Sequence, residues 1–467
     1  MYYIQKIVEK LGKNLTLIKE NIMRSEMFAV VNSTIVKGSD SYNGLLYSED
    51  NGKTWNKSNI TSGSFSSLTT IGNIAIVNSD SDKGLFYSED CGKTWNQSNI
   101  NIGNFYDLTV VNGVVIVGSD SDKGLFYSED CGKTWKQSNV DIGSQWNFTI
   151  INGVVIAGNR LFGGLFYSED NGKTWKGANI TSGNCWSFIT IDNIVIASNK
   201  MMGKYLLYSE DNGKTWKESN IHGEDFLTLT AINNMVIAGS SHNKGLLYSE
   251  DKGKTWNQSN IASGDFRCLT VTIGNTVITG SWSHKGLLYS EDNGHTWKES
   301  NITSGNFVCL AVIGNTVIAG SGYSSNKGLL YSEDNGHTWK ESNITSGTFY
   351  DLFVVGSTVI ASNNSDKGLY YSEDNGKTWN QSNITSGYFC NLAVIGNTVI
   401  AANSYNSDKG ILYSEDNGKT WKQSNVTSGS FYSLNIIDNM VIASSWSDDT
   451  LLYSEDNGKT WSQPNIK

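Results

Sequence analysis

The chain has 467 residues and a formal net charge of -10, from 45 acidic and 35 basic side chains. Nucleic-acid-binding proteins usually carry a basic face, so this balance excludes a broad phosphate-binding surface and predicts no nucleic-acid partner. No apolar stretch reaches the roughly 18 residues of a membrane-spanning helix and the N-terminus lacks the apolar core of a secretory signal, so the sequence predicts no membrane span and leaves the localisation unknown.

Residues 1–24 have the period of an amphipathic helix. Their apolar side chains recur at steps that alternate between four and three residues, which is the a/d pattern of a coiled coil. These side chains are Ile4, Val8, Leu11, Leu15, Ile18 and Ile22. Three interpretations remain open: the helix packs its apolar stripe on the rest of the fold, it forms a coiled coil that makes a homo-oligomer, or it lies on a membrane surface.

Residues 25–467 consist of eleven copies of one unit, each marked by a tryptophan at intervals of 40 to 42 residues. These are Trp55, Trp95, Trp135, Trp175, Trp216, Trp256, Trp297, Trp339, Trp379, Trp421 and Trp461. One copy, residues 105–138, contains four short runs with strand character, "FYDLTVV", "VVIVGS", "GLFYSED" and "KTWKQS", which we label strands A to D. This length is typical of a propeller blade, so the sequence predicts an all-β fold of eleven four-stranded blades.

The stretch "YSEDNGKTW" at residues 47–55 recurs in every copy with at most one exchange. Gly52 is kept in all copies, which predicts a turn with a positive φ. Ser48 and Asp50 can satisfy turn amides that the strand ladder leaves free, and Trp55 can fill the space between blades. Sequons such as residues 59–61 also recur, and we interpret them as Asn/Ser/Thr-rich loop rather than as glycosylation sites.

The repeated pattern Ser-x-Asp-x-Gly-x-Thr-Trp resembles the Asp-box or BNR repeat of sialidases, sortilin-type receptors and photosystem assembly factors. This resemblance implies a β-propeller over residues 25–467. The uniform linkers favour a single ring, with two smaller rings or an open spiral as the alternatives. Each blade is contiguous in sequence, so we expect the two chain ends to share no blade. The N-terminal helix would then pack on the propeller or plug its channel. In that family the box is a structural turn far from the ligand site, so the resemblance implies little about function.

The resemblance to sialidases implies a triad of arginines and a Phe-Arg-Ile-Pro motif. The motif is absent here, and Arg24, Arg160 and Arg267 are too widely separated in the repeat to converge on one carboxylate. We therefore predict no catalytic residues, with an exo-sialidase-like glycoside hydrolase as the alternative. Neither the histidines nor the cysteines have metal-ligand spacing, so the sequence predicts no metal site and no cofactor.

The copies differ mainly in the loop between strands B and C, which reads "SDSDKG" in the second and third copies but "GSWSHKG" at residues 280–286. A variable column at the start of strand A lies on the same side, and we call this side the variable face. Its aromatic and charged side chains suit recognition of a sugar or a protein, although neutral drift is the alternative. The candidate ligand-binding residues are Tyr106, Trp146, Arg160, Phe162, Trp186, His242, Arg267, Trp282, His284, Tyr323, Tyr405 and Trp446.

The sequence thus favours a non-catalytic binding scaffold whose variable face recognises a glycan or a protein, such as a cell-surface receptor or an adhesion target. Besides the glycoside hydrolase, a second alternative is a structural or receptor-binding component of a larger particle such as a phage tail, onto which residues 1–24 would dock the blades.

Overall fold

A computed structural model describes residues 27–466, except 39–43, 80–82, 102, 120–122, 142, 144–145, 160–163, 182–184, 200–204, 223–225, 233–234, 241–243, 267–270, 274–275, 324, 326, 364–366, 405–408, 438 and 446–449. All regular elements of these residues are β-strands, which confirms the predicted all-β fold. The helix predicted over residues 1–24 lies outside the described residues. Nothing in the described part of the chain forms a helix that could span a membrane.

The first six blades contain 24 strands. Their bounds are β1 Met27–Val31, β2 Thr34–Gly38, β3 Leu45–Ser48, β4 Thr54–Lys57, β5 Phe65–Ile71, β6 Ile74–Ser79, β7 Leu85–Ser88, β8 Asn96–Gln97, β9 Phe105–Val111, β10 Val114–Ser119, β11 Leu125–Ser128, β12 Lys136–Gln137, β13 Trp146–Ile151, β14 Val154–Asn159, β15 Leu165–Ser168, β16 Lys176–Gly177, β17 Cys185–Ile191, β18 Ile194–Asn199, β19 Tyr205–Ser209, β20 Lys217–His222, β21 Phe226–Ile232, β22 Met235–Ser240, β23 Leu246–Ser249 and β24 Asn257–Gln258.

The remaining strands belong to the seventh to eleventh blades and to the C-terminal segment. Their bounds are β25 Val271–Ile273, β26 Thr276–Gly280, β27 Leu287–Ser290, β28 Lys298–Glu299, β29 Phe307–Ile313, β30 Thr316–Ser321, β31 Leu329–Ser332, β32 Lys340–Glu341, β33 Phe349–Val355, β34 Thr358–Asn363, β35 Leu369–Ser372, β36 Asn380–Gln381, β37 Asn391–Ile395, β38 Thr398–Ala402, β39 Ile411–Ser414, β40 Lys422–Gln423, β41 Phe431–Ile437, β42 Met440–Ser445, β43 Leu451–Ser454 and β44 Asn465–Ile466.

The strands of the described residues form eleven sheets, one for each copy of the repeat. Within each sheet the strands of one copy are neighbours in chain order and antiparallel, which is the predicted meander of a propeller blade, and the sheet of the first copy has β44 as a fifth strand. In the eleventh blade, strand D is reduced to an antiparallel bridge between Tyr453 and Ser462. These sheets confirm the eleven predicted propeller blades.

The blades belong to two compact units. Among the described residues, unit 1 comprises Ile76–Tyr87 and Gln97–Gln258. Unit 2 comprises Glu26–Ala75, Ser88–Asn96 and Ser259–Lys467. The single ring that the linker lengths favour stays a prediction.

Burial explains the composition of the four strands. In the third blade, every residue of the central strand β10 is buried, so this strand is a continuous run of Val, Ile and small residues. The outer strand β12, Lys136–Gln137, is exposed at both positions and is polar. The remaining blades that are described in full follow the same gradient from an apolar centre to a polar edge.

The Asp box closes the turn between strands C and D. In the eighth blade the Asp334 carboxylate accepts hydrogen bonds from the Ser332 hydroxyl (2.8 Å), the Thr338 backbone N–H (2.9 Å) and the Thr338 hydroxyl (2.5 Å). Ser332 Oγ accepts from the N–H of Gly336 at 2.7 Å. Gly336 has a φ of 84°. The φ of the box glycine is positive in all eleven copies, as predicted from the sequence.

The box tryptophan packs between neighbouring blades. Trp339 is buried, and its indole N–H donates to the carbonyl oxygen of Gly336 at 3.0 Å. Its ring belongs to an apolar cluster that joins Ile278 and Leu287 of the seventh blade to Phe307 of the eighth. The predicted burial of this column between blades is therefore confirmed in the eighth blade.

An asparagine that follows strand D joins each blade to the next. Asn59 Nδ2 donates to the carbonyl oxygen of Trp95, and the Trp95 N–H donates to Asn59 Oδ1, both at 2.7 Å. Ten asparagines make this pair of bonds with the following box tryptophan. They are Asn59, Asn99, Asn139, Asn179, Asn220, Asn260, Asn301, Asn343, Asn383 and Asn425. Residues 59–61 form a loop, as the sequence predicts, and the amide of Asn59 has the additional role of joining two blades.

The C-terminal strand corrects a second expectation. Strand β44 pairs in parallel with β4 of the first blade, with Thr54 opposite Asn465 and Trp55 opposite Ile466. The N–H of Asn465 donates to the carbonyl oxygen of Lys53 at 3.3 Å. Strand β4 is the outer edge of its blade, and an edge strand offers unpaired backbone groups. The first blade therefore contains residues from both ends of the repeat region, contrary to the prediction that the chain ends share no blade.

Candidate ligand-binding face

The variable face is best described in the seventh and eighth blades of unit 2. The B–C loop of the seventh blade runs from residue 281 to residue 286 between β26 and β27. The loop of the eighth blade is two residues longer and runs from 321 to 328. Both loops lie beside the connection that enters strand A of their own blade.

The loop of the seventh blade presents Trp282. The backbone N–H of Trp282 donates to the carbonyl oxygen of Asp265 at 2.8 Å. In return, the N–H of Asp265 donates to Ser283 Oγ at 2.7 Å. The Trp282 side chain keeps 36% of its surface exposed. The backbone under this indole is therefore fixed while part of the ring faces solvent.

A buried serine holds the rest of the same loop. Ser281 Oγ accepts hydrogen bonds from the N–H groups of Ser283 (3.0 Å) and Lys285 (3.2 Å). The Lys285 ammonium group donates to Ser263 Oγ at 2.6 Å. His284 is exposed and has a φ of 64°, and its carbonyl oxygen accepts from the N–H of Gly305 at 3.2 Å. The short loop is thus tied at most of its residues.

The loop of the eighth blade presents Tyr323, whose surface is 81% exposed. The carbonyl oxygen of Asn306 accepts from the N–H of Gly322 and from the hydroxyl of Ser325, both at 2.8 Å. Ser321 Oγ lies 2.7 Å from Ser325 Oγ. Tyr323 therefore lies between two residues that are anchored to the same carbonyl group.

Three blades share one hydrogen bond at the base of this face. In each of these blades, a residue one or two positions after the end of strand B donates its N–H. The acceptor is a carbonyl oxygen of the connection that enters strand A. The three bonds are Trp282 to Asp265 (2.8 Å), Gly322 to Asn306 (2.8 Å) and Ser404 to Tyr388 (2.9 Å). A constant base with different side chains at the tip is a suitable arrangement for a binding surface, because the scaffold positions the contact residues in advance.

Trp146 is not on the variable face, contrary to prediction. Its side chain is 0% exposed and its ring lies 5.6 Å from that of Phe166, at an interplanar angle of 64°. A Cβ atom on Gly118 of the preceding blade would lie 2.3 Å from Trp146 Cδ1, so the indole occupies the space above that glycine. Trp146 is a core residue between the third and fourth blades.

The register of strand A explains this error. In the third blade, Phe105 pairs with Ser119 and the register shifts farther along, so the strand contains a bulge. In the fourth blade, Trp146 pairs with Asn159 at the corresponding end, and no shift occurs along the strand. A shift of one residue turns a side chain to the opposite face of a strand. Trp146 consequently occupies the buried position of Phe105 rather than the position of Tyr106.

The remaining predicted site residues fall into two groups, those that belong to described strands and those that lie outside the described residues. Tyr106 and Trp186 belong to strands β9 and β17, which run from Phe105 and Cys185. The predicted residues that lie outside the described residues are Arg160, Phe162, His242, Arg267, Tyr405 and Trp446. The described candidates on the variable face are therefore Trp282 and His284 in one loop and Tyr323 in the next.

A polar cluster between the ninth and tenth blades was not predicted from the sequence. It consists of Tyr350, Asp351, Tyr388, Cys390 and Ser404, and we call it the Asp351 cluster. Cys390 Sγ lies 2.7 Å from Ser404 Oγ. Burial raises the pKa of Cys390, and the negative charge of Asp351 adds a smaller effect in the same direction. Tyr350 and Cys390 belong to the variable column of strand A, but no sequence pattern indicates that Asp351 is half-buried.

The Asp351 carboxylate has unusual surroundings. Burial raises its pKa to about 6. It has neither an ion-pair partner nor a hydrogen-bond donor among the described residues. Burial and the nearby Cys390, Asp351 and Tyr350 raise the pKa of Tyr388 to about 12. The cluster therefore holds a carboxyl group that becomes ionised near pH 6 without a compensating cation.

The carboxylates of the Asp boxes are engaged in structure. Burial by itself would raise the pKa of Asp334, but hydrogen bonds from Thr338 and Ser332 outweigh it and lower the pKa below the ordinary value. The neighbouring Glu333 forms an ion pair with Lys340 of its own blade and another with Lys377 of the next. Among the described residues, no group of His, Cys, Asp or Glu side chains is arranged to hold a metal ion.

The sequence model of the BNR/Asp-box repeat family matches residues 166–176, 370–381 and 452–463, which are boxes of the fourth, ninth and eleventh blades. No curated protein matches the chain. The match identifies these three boxes as BNR/Asp-box repeats, and the boxes of the other blades share their positive-φ glycine.

Solved structures with similar blades have low sequence identity to this chain. A GH74 enzyme from Niastella koreensis is 16% identical with a TM-score of 0.31, over 93% of this chain and 76% of that one. YCF48 bound to a D1 peptide is 19% identical with a TM-score of 0.33, over 54% of this chain and 86% of that one. The computationally designed Ika8 protein is 13% identical with a TM-score of 0.40, over 65% of this chain and 93% of that one.

Proposed function

We propose that this BNR/Asp-box protein is a non-catalytic binding scaffold whose variable face recognises a glycan or a protein. The observation that carries the proposal is the placement of Trp282 and Tyr323. Both side chains are exposed, and both belong to loops of consecutive blades whose backbones are fixed by hydrogen bonds. Side chains of this type dominate binding energy at recognition surfaces, because they offer a large rigid face at a low entropic cost.

The chemistry of the two rings defines the class of ligand. An indole and a phenol each combine an apolar face with a polar edge, which suits the apolar face of a sugar ring or an apolar side chain of a protein. His284 lies two residues from Trp282 on the same exposed loop and can add a polar contact. The residues of the variable face outside the described part of the chain, including Trp446, would extend the same surface.

The polar groups of the boxes support binding rather than catalysis. In the eighth blade, the Asp334 carboxylate accepts three hydrogen bonds, and Glu333 forms ion pairs with two lysines. A glycoside hydrolase needs two carboxyl groups that converge across the bond to be cleaved. The box carboxylates instead stabilise turns on the side of the blade opposite the B–C loops.

Parallel glycan and protein-fragment arrays test this proposal. The wild type is compared with a Trp282→Ala/Tyr323→Ala double variant and with Asn380→Ala, which changes an exposed residue of the outer strand β36. We expect array signals that the double variant loses and the Asn380→Ala variant keeps. Signals that are identical for all three proteins would contradict a role for this face.

A further inference from the structure

We propose that the Asp351 cluster is a subsite for a positively charged side chain of a protein partner, the ammonium group of a lysine or the guanidinium group of an arginine. This inference rests on the proposed function and adds the chemistry of the partner. It also favours a protein over a neutral glycan as the ligand.

The register of the ninth blade gives the geometry of the subsite. Strand β33 contains an irregularity between Phe349 and Asp351, which makes Tyr350 the extra residue, and Asp351 pairs with Ser362 of β34. Paired residues of neighbouring antiparallel strands place their side chains on the same face of a sheet. The side chains of Asp351 and Ser362 therefore project from the same face of the blade.

Neither of these side chains has a partner in the described part of the chain. Ser362 is only 3% exposed, and its hydroxyl oxygen has no hydrogen-bond partner among the described residues. The Asp351 carboxylate likewise has neither a donor nor a cation among them. Buried polar groups in folded proteins are normally hydrogen-bonded, so two adjacent groups without partners indicate that a ligand or water completes them. A carboxylate beside a hydroxyl oxygen accepts hydrogen bonds from a ligand that carries several N–H donors.

The surrounding residues favour a cation over a neutral donor. Burial raises the pKa of Tyr388 of the tenth blade, and the negative charge of Asp351 adds to this effect. Aromatic rings attract cations through their electron-rich faces. Two further titratable groups belong to this region. Cys390 forms a hydrogen bond with Ser404, and Cys309 of the eighth blade donates a hydrogen bond to the carbonyl oxygen of Phe349 at 3.2 Å. None of these groups carries a positive charge.

Small cations test the subsite directly in the full-length protein. Saturation-transfer NMR is recorded with n-butylammonium and n-butylguanidinium as probes, and with N-butylurea as a neutral analogue of the same shape. At about pH 7.5, where the Asp351 carboxyl group is ionised, we expect both cations or one of them to bind and N-butylurea not to bind. The signal should weaken at least about tenfold at about pH 4.5, where the carboxyl group is protonated. Comparison of the two cations then distinguishes a lysine from an arginine as the natural group.

Two variants complete the experiment. Asp351→Asn should abolish binding of the cation, whereas Glu341→Gln, which removes an exposed carboxylate from strand β32 of the eighth blade, should leave it unchanged. Thermal melts confirm that both variants are folded. Binding that persists in Asp351→Asn, equal binding of N-butylurea, or no binding of either cation to the wild type would overturn the subsite. If an array ligand that depends on Trp282 still binds Asp351→Asn with unchanged affinity, this inference fails while the proposed function stands.

Discussion

Asn301 and the backbone of Trp339 form two hydrogen bonds that join the seventh and eighth blades. Asn301 Nδ2 donates to the Trp339 carbonyl oxygen, and the Trp339 N–H donates to Asn301 Oδ1, each at 2.7 Å. Only a primary amide offers a donor and an acceptor at this spacing, because a carboxylate accepts twice and a hydroxyl is too short. This requirement explains why asparagine recurs at this position after strand D.

Asn301→Asp should therefore destabilise the fold more than its small change in size suggests. The carboxylate would face the Trp339 carbonyl oxygen without a proton between them, and the partly buried carbonyl would lose its donor. We expect a loss of about 1–3 kcal/mol in the free energy of unfolding at neutral pH, measured by chemical denaturation. The matched control is Asn380→Asp on the exposed outer strand β36, which should change stability by less than about 0.5 kcal/mol. Equal losses in the two variants would show that the amide of Asn301 is not specifically required.

The Asp boxes should make the protein sensitive to acid. Although burial opposes it, hydrogen bonding lowers the pKa of Asp334 below its unfolded value, so the stability from this carboxylate is present above the unfolded pKa and is lost as pH falls through the folded pKa. The same net direction holds for the box aspartates Asp50, Asp90, Asp130, Asp170, Asp211, Asp251, Asp292, Asp374, Asp416 and Asp456. We expect the melting temperature to fall steeply below about pH 4.

Asp334→Asn should reduce the free energy of unfolding by about 1–2 kcal/mol at pH 7 and by much less near pH 2. A loss of stability that is independent of pH would contradict the assignment.

Asp351 should have the opposite effect on the pH dependence of stability. Burial raises its folded pKa to about 6, above the ordinary value of 3.8, so the folded state binds the proton more tightly than the unfolded state does. Stability contributed by the protonated form is therefore full below about pH 4 and declines as pH rises to about 6. Asp351→Asn should match the wild type near pH 4 and exceed it by about 1–2 kcal/mol at pH 7.5, a value reduced for partial solvent screening. Denaturation curves at these two pH values measure the difference, and a variant that is less stable at both would refute this explanation.

Residues 1–24 lie outside the described residues, and their role as an amphipathic helix stays a prediction. A chain that begins at residue 25 should retain the melting temperature of the blades, because the repeat is complete without the segment. If the heptad pattern forms a coiled coil, light scattering should show a lower mass for the truncated protein. Leu11→Lys in the full chain is the matched variant, since it disrupts the apolar stripe without removing residues. An unchanged mass in both proteins would exclude the coiled coil.

The repeat allowed the blades to be predicted, because local signals coincide in every copy. The Gly52 position, the Ser48 and Asp50 side chains and the buried tryptophan each depend on residues within one turn, so the sequence contains all the information that fixes them. The contact of Asn59 with Trp95 joins two copies across 36 residues. The pattern within a single copy therefore does not predict this contact.

The candidate site was harder to predict because it depends on register. Alignment of Trp146 with Tyr106 of the preceding copy predicts an exposed side chain. Strand β13 lacks the register shift of β9, so Trp146 lies in the core. Asp351 is partly buried although a charged side chain at this position is expected to be exposed. The neighbouring sequence does not indicate this burial, because the residues that cover Asp351 are distant in the chain. Trp282 and Tyr323 were recognisable because short polar loops seldom bury an aromatic side chain, and both are exposed.

Paired measurements on Trp282→Ala and Trp297→Ala test the central claim most directly. Trp282 is a partly exposed loop residue, and Trp297 is a box residue that is 2% exposed. For the array hit, isothermal titration should show that Trp282→Ala weakens binding by about 1–3 kcal/mol with a nearly unchanged melting temperature. Trp297→Ala should cost about 3–5 kcal/mol of stability and retain binding at temperatures where it is folded. Unaltered affinity in Trp282→Ala, or equal thermal losses in the two variants, would show that the variable face is ordinary surface.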